Sequence, residues 1–165
     1  MSTGFQIALV GCSGYAGRVL ATLIDAHPHF HRDACPEPRT IPTDDARLES
    51  LASADAVVLA LPAAPARQWT EVLMQREIHR VLDLSDAHRR DPGVHYALRE
   101  VCGPTPHDAR LVANPGCYPT ATLLALAPLV RDGLVRDDGV CVVGASGATG
   151  AGKGLRDDLH FCHLE

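Results

Sequence analysis

A doubly wound α/β domain, with helices on both faces of a parallel sheet, is the fold class this 165-residue chain predicts. Three observations point there. Short apolar runs alternate with helix-length stretches, and no tight hairpin signal joins two of the runs, which is the pattern of crossover connections. The runs are continuous in hydrophobicity, as strands buried on both faces are. A glycine cluster, G-C-S-G-Y-A-G at residues 11–17, stands between the first run and the first helical stretch.

Element by element, residues 6–10 (QIALV) form a buried strand with a glycine directly after it. Residues 14–26 place Val19, Leu20, Leu23 and Ile24 on one helical face, and His27-Pro28 ends that helix. The stretch 29–43 is rich in proline and charge and supports only a short strand near Phe30. A short helix follows over 44–52, a strand over 56–61 (AVVLAL), a helix over 65–77 and a strand over 80–84 (RVLDL). Residues 88–108 read as a polar connection with a helix around 94–101. A brief strand at 111–113, a helix over 118–132 and an apolar strand at 140–144 complete the pattern.

Composition narrows the function. Hydrophobic residues make up 46% of the chain and charged residues 21%, enough for an ordinary core. Aromatics are only 4%, so that core rests on Ala, Val and Leu. The net charge of −5 comes from mixed signs with no basic stripe, and nucleic acid is not expected as a partner. No apolar run approaches the roughly 20 residues of a bilayer span, and the first residues lack the pattern of a signal peptide. Six cysteines, at 12, 35, 102, 117, 141 and 162, include no C-x-x-C pair. Neither a metal site nor a disulfide framework is expected, and a cytoplasmic protein with reduced thiols is the economical reading. The triplet of His160, Cys162 and His163 is too short a signal to change it.

The glycine loop carries the first chemistry. Gly11, Gly14 and Gly17 fall between a strand and a helix, where a sharp turn and the close approach of a pyrophosphate both exclude a Cβ. The helix N-terminus then offers N–H groups and a favourable dipole. The spacing is G-x-x-G-x-x-G rather than G-x-G-x-x-G, so position carries the assignment more than pattern. About 20 residues on, Asp33 suits an adenine ribose while Arg32 suits a 2′-phosphate, which leaves NAD against NADP open.

The second is A-N-P-G-C-Y-P-T-A at residues 113–121. It places Cys117 at the carboxyl end of a strand and the start of a helix. The helix end favours a thiolate, and the strand end is where open α/β sheets take ligands. Gly116 leaves room for a substrate, and the flanking prolines stiffen the loop. A thiolate beside a nicotinamide suits covalent acyl transfer followed by hydride transfer. The other five cysteines lack this framing.

Together these segments resemble the N-acetyl-γ-glutamyl-phosphate reductases, NADPH-dependent enzymes of arginine biosynthesis within the wider semialdehyde dehydrogenase group. The match is carried by V-A-N-P-G-C-Y-P-T-A-T-L-L-A-L-A-P at 112–128, G-C-S-G-Y-A-G at 11–17, A-L-P at 60–62, D-L-S-D-A-H-R at 83–89 and S-G-A-T-G-A-G-K at 146–153. The resemblance implies a Rossmann-like cofactor domain over 1–143 and the beginning of a substrate and dimerisation domain over 144–165. It implies Cys117 as the catalytic nucleophile on an acyl phosphate, with inorganic phosphate as the released partner. Gly11, Ser13, Gly14, Tyr15, Gly17, Pro62, Ser146 and Gly147 would meet NADP(H). Arg89, Asn114 and Lys153 would hold substrate or phosphate. It also implies a homo-oligomer for full-length members.

Three departures accompany it. The 29–43 connection is short, the family's Y-G-L-P-E-like stretch is absent before the cysteine segment, and the family's catalytic histidine lies beyond Glu165. Reduced activity of this chain by itself is therefore expected. A reductase of an aspartyl or carrier-linked aminoadipyl phosphate, and a catalytically silent nucleotide-binding fragment, remain the alternative readings.

Overall fold

The computed structural model describes residues 4–34, 45–78, 80–147 and 150. Six parallel strands form one sheet in the order β2-β1-β3-β4-β6-β5. They are β1 (Phe5–Val10), β2 (Phe30–Ala34), β3 (Ala56–Leu59), β4 (Val81–Asp83), β5 (His95–Tyr96) and β6 (Leu111–Ala113). The helices are α1 (Tyr15–Asp25), α2 (Asp45–Ala52), α3 (Ala63–Gln75), α4 (Arg99–Cys102) and α5 (Cys117–Arg131). The doubly wound, Rossmann-like class is therefore the observed one.

Strand alternation sorts the core into two layers. On β1, Ala8 and Val10 face a cluster that includes Leu51, Leu59, Trp69 and Leu73, so α2 and α3 cover that side. Ile7 and Leu9 face the other way, packing with Val58 and with Ile24 of α1. Trp69 is fully buried in the larger cluster, whose other buried members among the described residues are aliphatic.

Register decides where chemistry can sit. Val10 pairs with Leu59, Leu59 with Asp83, and Asp83 with Ala113. The strands thus end in one row, and the segments after β1, β3, β4 and β6 emerge side by side. β1 lies between β2 and β3. The chain winds away from β1 in one direction and then the other, which opens the crevice where such sheets take ligands.

Several elements differ from the sequence reading. The helix expected around 94–101 is instead the two-residue strand β5 followed by α4. At the sheet edge a strand needs only one ladder partner, which β6 supplies, so its polar sequence carries no apolar signal. The run at 140–144 forms no strand, and Val140, Val142 and Val143 are exposed. Its composition suits a ladder, but no described strand lies beside it to accept one. Cys12 is disulfide-bonded, whereas Cys102, Cys117 and Cys141 are free. Spacing along the chain does not reveal which thiols meet in space, and the expectation of uniformly reduced thiols fails at this position. Among the described residues, no helix is long and apolar enough to cross a membrane and no cluster of three metal-binding side chains occurs.

Candidate active site at the carboxyl ends of the strands

The loop after β1 is shaped by its glycines. Gly11 has φ +93°, a left-handed conformation, and lies against the backbone of Ala60. A Cβ at Gly17 would overlap the Gly11 carbonyl oxygen and come within 2.8 Å of the Cys12 Cα. Gly17 therefore lets α1 pack onto the loop. Gly14 is different: it caps α1 in an extended conformation, and its nearest neighbours to an added Cβ stand at 3.5 and 3.9 Å. Internal packing does not demand glycine there.

α1 has no acidic residue in its first turn. Its N-terminus is a cradle of the kind that accepts a pyrophosphate, so the residues present fit a dinucleotide. Ser13 in this loop and Tyr15 at the start of α1 are exposed, and Pro62 is the N-cap of α3. Arg32 is engaged elsewhere, forming a two-pronged pair with Asp25 at 3.1 and 2.8 Å. That hydrogen bonding holds the Asp25 carboxyl below its usual range and raises the guanidinium. The side chain of Asp33 lies outside the described residues.

The loop after β6 delivers Cys117 as the first residue of α5, with Gly116 as N-cap and the thiol exposed. Thr120 closes the first turn, its N–H and hydroxyl both donating to the Gly116 carbonyl at 3.0 and 2.7 Å. The N–H groups of Cys117 and Tyr118 have no intrahelical acceptor, and no acidic residue enters this turn. The helix start is thus polarised to favour an anion.

Arg89 is brought to this loop from the segment after β4. Its Nε donates to the Asn114 carbonyl at 2.9 Å and its Nη2 to the Leu84 carbonyl at 3.2 Å. A Cβ built on Gly116 would lie 2.7 Å from Arg89 Nη1, so the guanidinium rests directly on the residue before Cys117. The Asn114 N–H donates to the Asp83 carbonyl at 2.8 Å, and its side-chain amide donates to Pro115. Arg89, Asn114, Gly116 and Cys117 therefore form one unit, although 25 residues separate Arg89 from Asn114.

Other expected residues are less closely joined to it. Ser146 and Gly147 are exposed, and the Ser146 hydroxyl donates to the Gly147 carbonyl. The same stretch passes the first turn of α5, where Gly144 abuts the Tyr118 ring. Lys153, with His160, Cys162 and His163, lies outside the described residues.

Sequence reasoning missed what stands beneath Arg89. Asp83, the last residue of β4, is fully buried. Its Oδ1 accepts from the Ser85 N–H at 2.9 Å, and its Oδ2 from the Ser85 hydroxyl at 2.8 Å and from His88 Nδ1 at 2.7 Å. The Ser85 oxygen in turn accepts from the Ala87 N–H at 3.0 Å. From α3, Arg67 grips Asp91 at 3.0 and 3.1 Å and donates to the Ala87 carbonyl. A signal was present: an aspartate inside the apolar strand sequence V-L-D-L must find donors nearby, and Ser85 and His88 are the next polar groups able to serve.

The chain is similar to known proteins along most of its length. Residues 31–109 match the sequence model of the semialdehyde dehydrogenase NAD binding domain, and residues 117–165 that of the semialdehyde dehydrogenase dimerisation domain. The N-acetyl-gamma-glutamyl-phosphate reductase of Geobacillus thermodenitrificans is 35% identical, across 96% of this chain and 56% of the relative. That of Salinispora arenicola is 38% identical, across 94% and 56%. The chain thus spans little more than half the length of these relatives. Among solved structures, aspartate semialdehyde dehydrogenase II of Vibrio cholerae superposes with TM-score 0.59 at 15% identity, over 78% of this chain and 47% of that one. The aspartate semialdehyde dehydrogenase of Candida albicans, solved with NADP, gives TM-score 0.59 at 16% identity, again over 78% and 47%. At such identities the likeness concerns the fold. The sequence matches concern descent, and this chain belongs to the semialdehyde dehydrogenase family.

Proposed function

We propose that the chain carries the cofactor-binding and cysteine-bearing portion of an NADP(H)-dependent N-acetyl-γ-glutamyl-phosphate reductase. The observation that carries this reading is the Arg89 guanidinium resting on Gly116, one residue before the exposed Cys117 at the start of α5. Curated relatives bearing that name, similar across nearly the whole chain, favour it over reductases of other acyl phosphates.

In this reading Cys117 Sγ attacks the acyl carbon of the substrate, a C–S bond forms, and the C–O bond to phosphate breaks with its electron pair leaving on inorganic phosphate. Arg89 and the N-terminal turn of α5 meet the departing negative charge. Gly11, Gly14 and Gly17 with Ser13, Tyr15 and Pro62 would hold the dinucleotide at the crevice beside β1. When bound, NADPH would supply a hydride to the acyl carbon, and the C–S bond would break with its electron pair returning to Cys117 Sγ as the aldehyde leaves. Lys153 would join the phosphate site, and Ser146 and Gly147 the cofactor site. The full-length protein would be a homo-oligomer, in keeping with the dimerisation-domain match over residues 117–165 and with an α5 that buries none of its residues here.

Alkylation provides the test, because Cys102 and Cys141 are also free and exposed and serve as internal controls. At neutral pH iodoacetamide labels Cys117 at least about tenfold faster than either control, as expected of a thiol at a polarised helix start, and inorganic phosphate slows only Cys117. Equal rates at the three thiols, with no phosphate effect, refute the reading.

A further inference from the structure

We propose that His88, through buried Asp83, and Arg67, through Asp91, are positioning residues that aim Arg89 at the anion site beside Cys117. The proposal rests on the reading of Arg89 as the anion-holding group and adds what sets its direction.

The geometry supplies two braces on one short segment. From below, Asp83 is fixed in the sheet by its backbone, which pairs opposite Leu59 and Ala113. Its carboxylate gathers the Ser85 N–H, the Ser85 hydroxyl and His88 Nδ1 within 2.7 to 2.9 Å. This pins residues 85 and 88 to the end of β4, with His88 itself only 5% exposed. From the side, the planar fork of Arg67 meets both oxygens of Asp91 and reaches the Ala87 carbonyl, and the Asp91 N–H returns to the His88 carbonyl at 3.2 Å.

Arg89 lies between the two anchor points. Among the described residues its side chain is held by two backbone carbonyls, and neither contact fixes where its Cα begins. The braces do that, so the guanidinium arrives against Gly116, and among the described residues it has no acidic partner. A buried carboxylate with three donors satisfied is rigid, whereas one left short of a donor is costly and invites rearrangement. Loss of the His88 ring therefore moves the segment that carries Arg89.

The test reads direction of charge and not stability alone. The same Cys117 thiolate displaces iodide from iodoacetate and from iodoacetamide, so the ratio of the two rates cancels the thiolate fraction and reports the positive charge near the sulfur. In Arg89→Gln that ratio falls by about threefold or more. In His88→Ala it falls toward the Arg89→Gln value, in His88→Asn, which keeps a donor where Nδ1 stands, it returns to the parent value, and in Arg67→Gln it falls by a smaller factor. A purely structural role would lower the melting temperature of His88→Ala and leave the ratio unchanged. If His88→Ala does not fold, Arg67→Gln, altered at an exposed side chain, decides the matter. A parent-like ratio in the folded brace variants alongside a reduced ratio in Arg89→Gln overturns the positioning role while sparing Arg89. A parent-like ratio in Arg89→Gln overturns the reading of Arg89 and this proposal with it.

Discussion

Gly14 and Gly17 occupy the same loop for different physical reasons, and substitution separates them. At Gly17 an added methyl group has nowhere to go, since the Gly11 carbonyl and the Cys12 Cα already fill that space. Gly17→Ala is expected to destabilise the fold by about 1–3 kcal/mol, the usual cost of overpacking, visible as a lower urea midpoint. At Gly14 the neighbours are at ordinary contact distance and φ is −71°. Gly14→Ala should cost less than about 1 kcal/mol yet weaken NADPH binding in a fluorescence titration, because the methyl group enters the open side of the cradle. Unchanged NADPH affinity in Gly14→Ala would remove this glycine from the cofactor site. Both glycines were visible as a motif in the sequence, but only the packing distinguishes them.

At the scale of elements, the segment between β4 and β5 connects strand, loop and helix. Arg67 of α3 holds the Asp91 carboxyl below its usual range, chiefly through their hydrogen bond and then through charge attraction. The sign follows from linkage: a carboxyl depressed on folding stabilises the fold above its unfolded pKa, and that contribution is lost as pH falls through the folded value. The α3 clamp should therefore persist at pH values where ordinary carboxyls are half protonated and release only at lower pH. A carbon-detected NMR titration of Asp91 checks this, with Arg67→Gln returning the transition to the ordinary range. Helix α5 also belongs here. Its apolar sequence predicted a helix correctly, yet none of its residues is buried, since the sheet is covered on its two faces by α1 and by α2 with α3.

For the molecule as a whole, the sheet order places the core around Trp69. With the ring fully buried against β1, β3 and their covering helices, Trp69→Ala should cost about 3–5 kcal/mol. Val143 offers the contrast, being 94% exposed, and Val143→Ser should stay within about 0.5 kcal/mol of the parent. Urea denaturation of both variants measures the difference. A large loss from Val143→Ser would mean that the run at 140–144 contributes to the same core.

The sequence by itself determined what depends on neighbours along the chain. Continuous apolar runs marked β1, β3 and β4, helical spacing marked α1 and α3, and glycine and proline punctuation located the loops at Gly11 and Cys117. Strand pairing depends on other segments. Hence the polar His95–Tyr96 became an edge strand because β6 lay open beside it, while the more strand-like run at 140–144 found no described partner. The same division runs through the site. Cys117 was legible because helix start and strand end are local features, and Arg89 only through family likeness. That Arg89 rests on Gly116, that Asp83 gathers Ser85 and His88, and that Arg67 reaches Asp91 were decided by tertiary structure. Buried charge must find its partners in space, and the row of strand ends set by register is what brings them together.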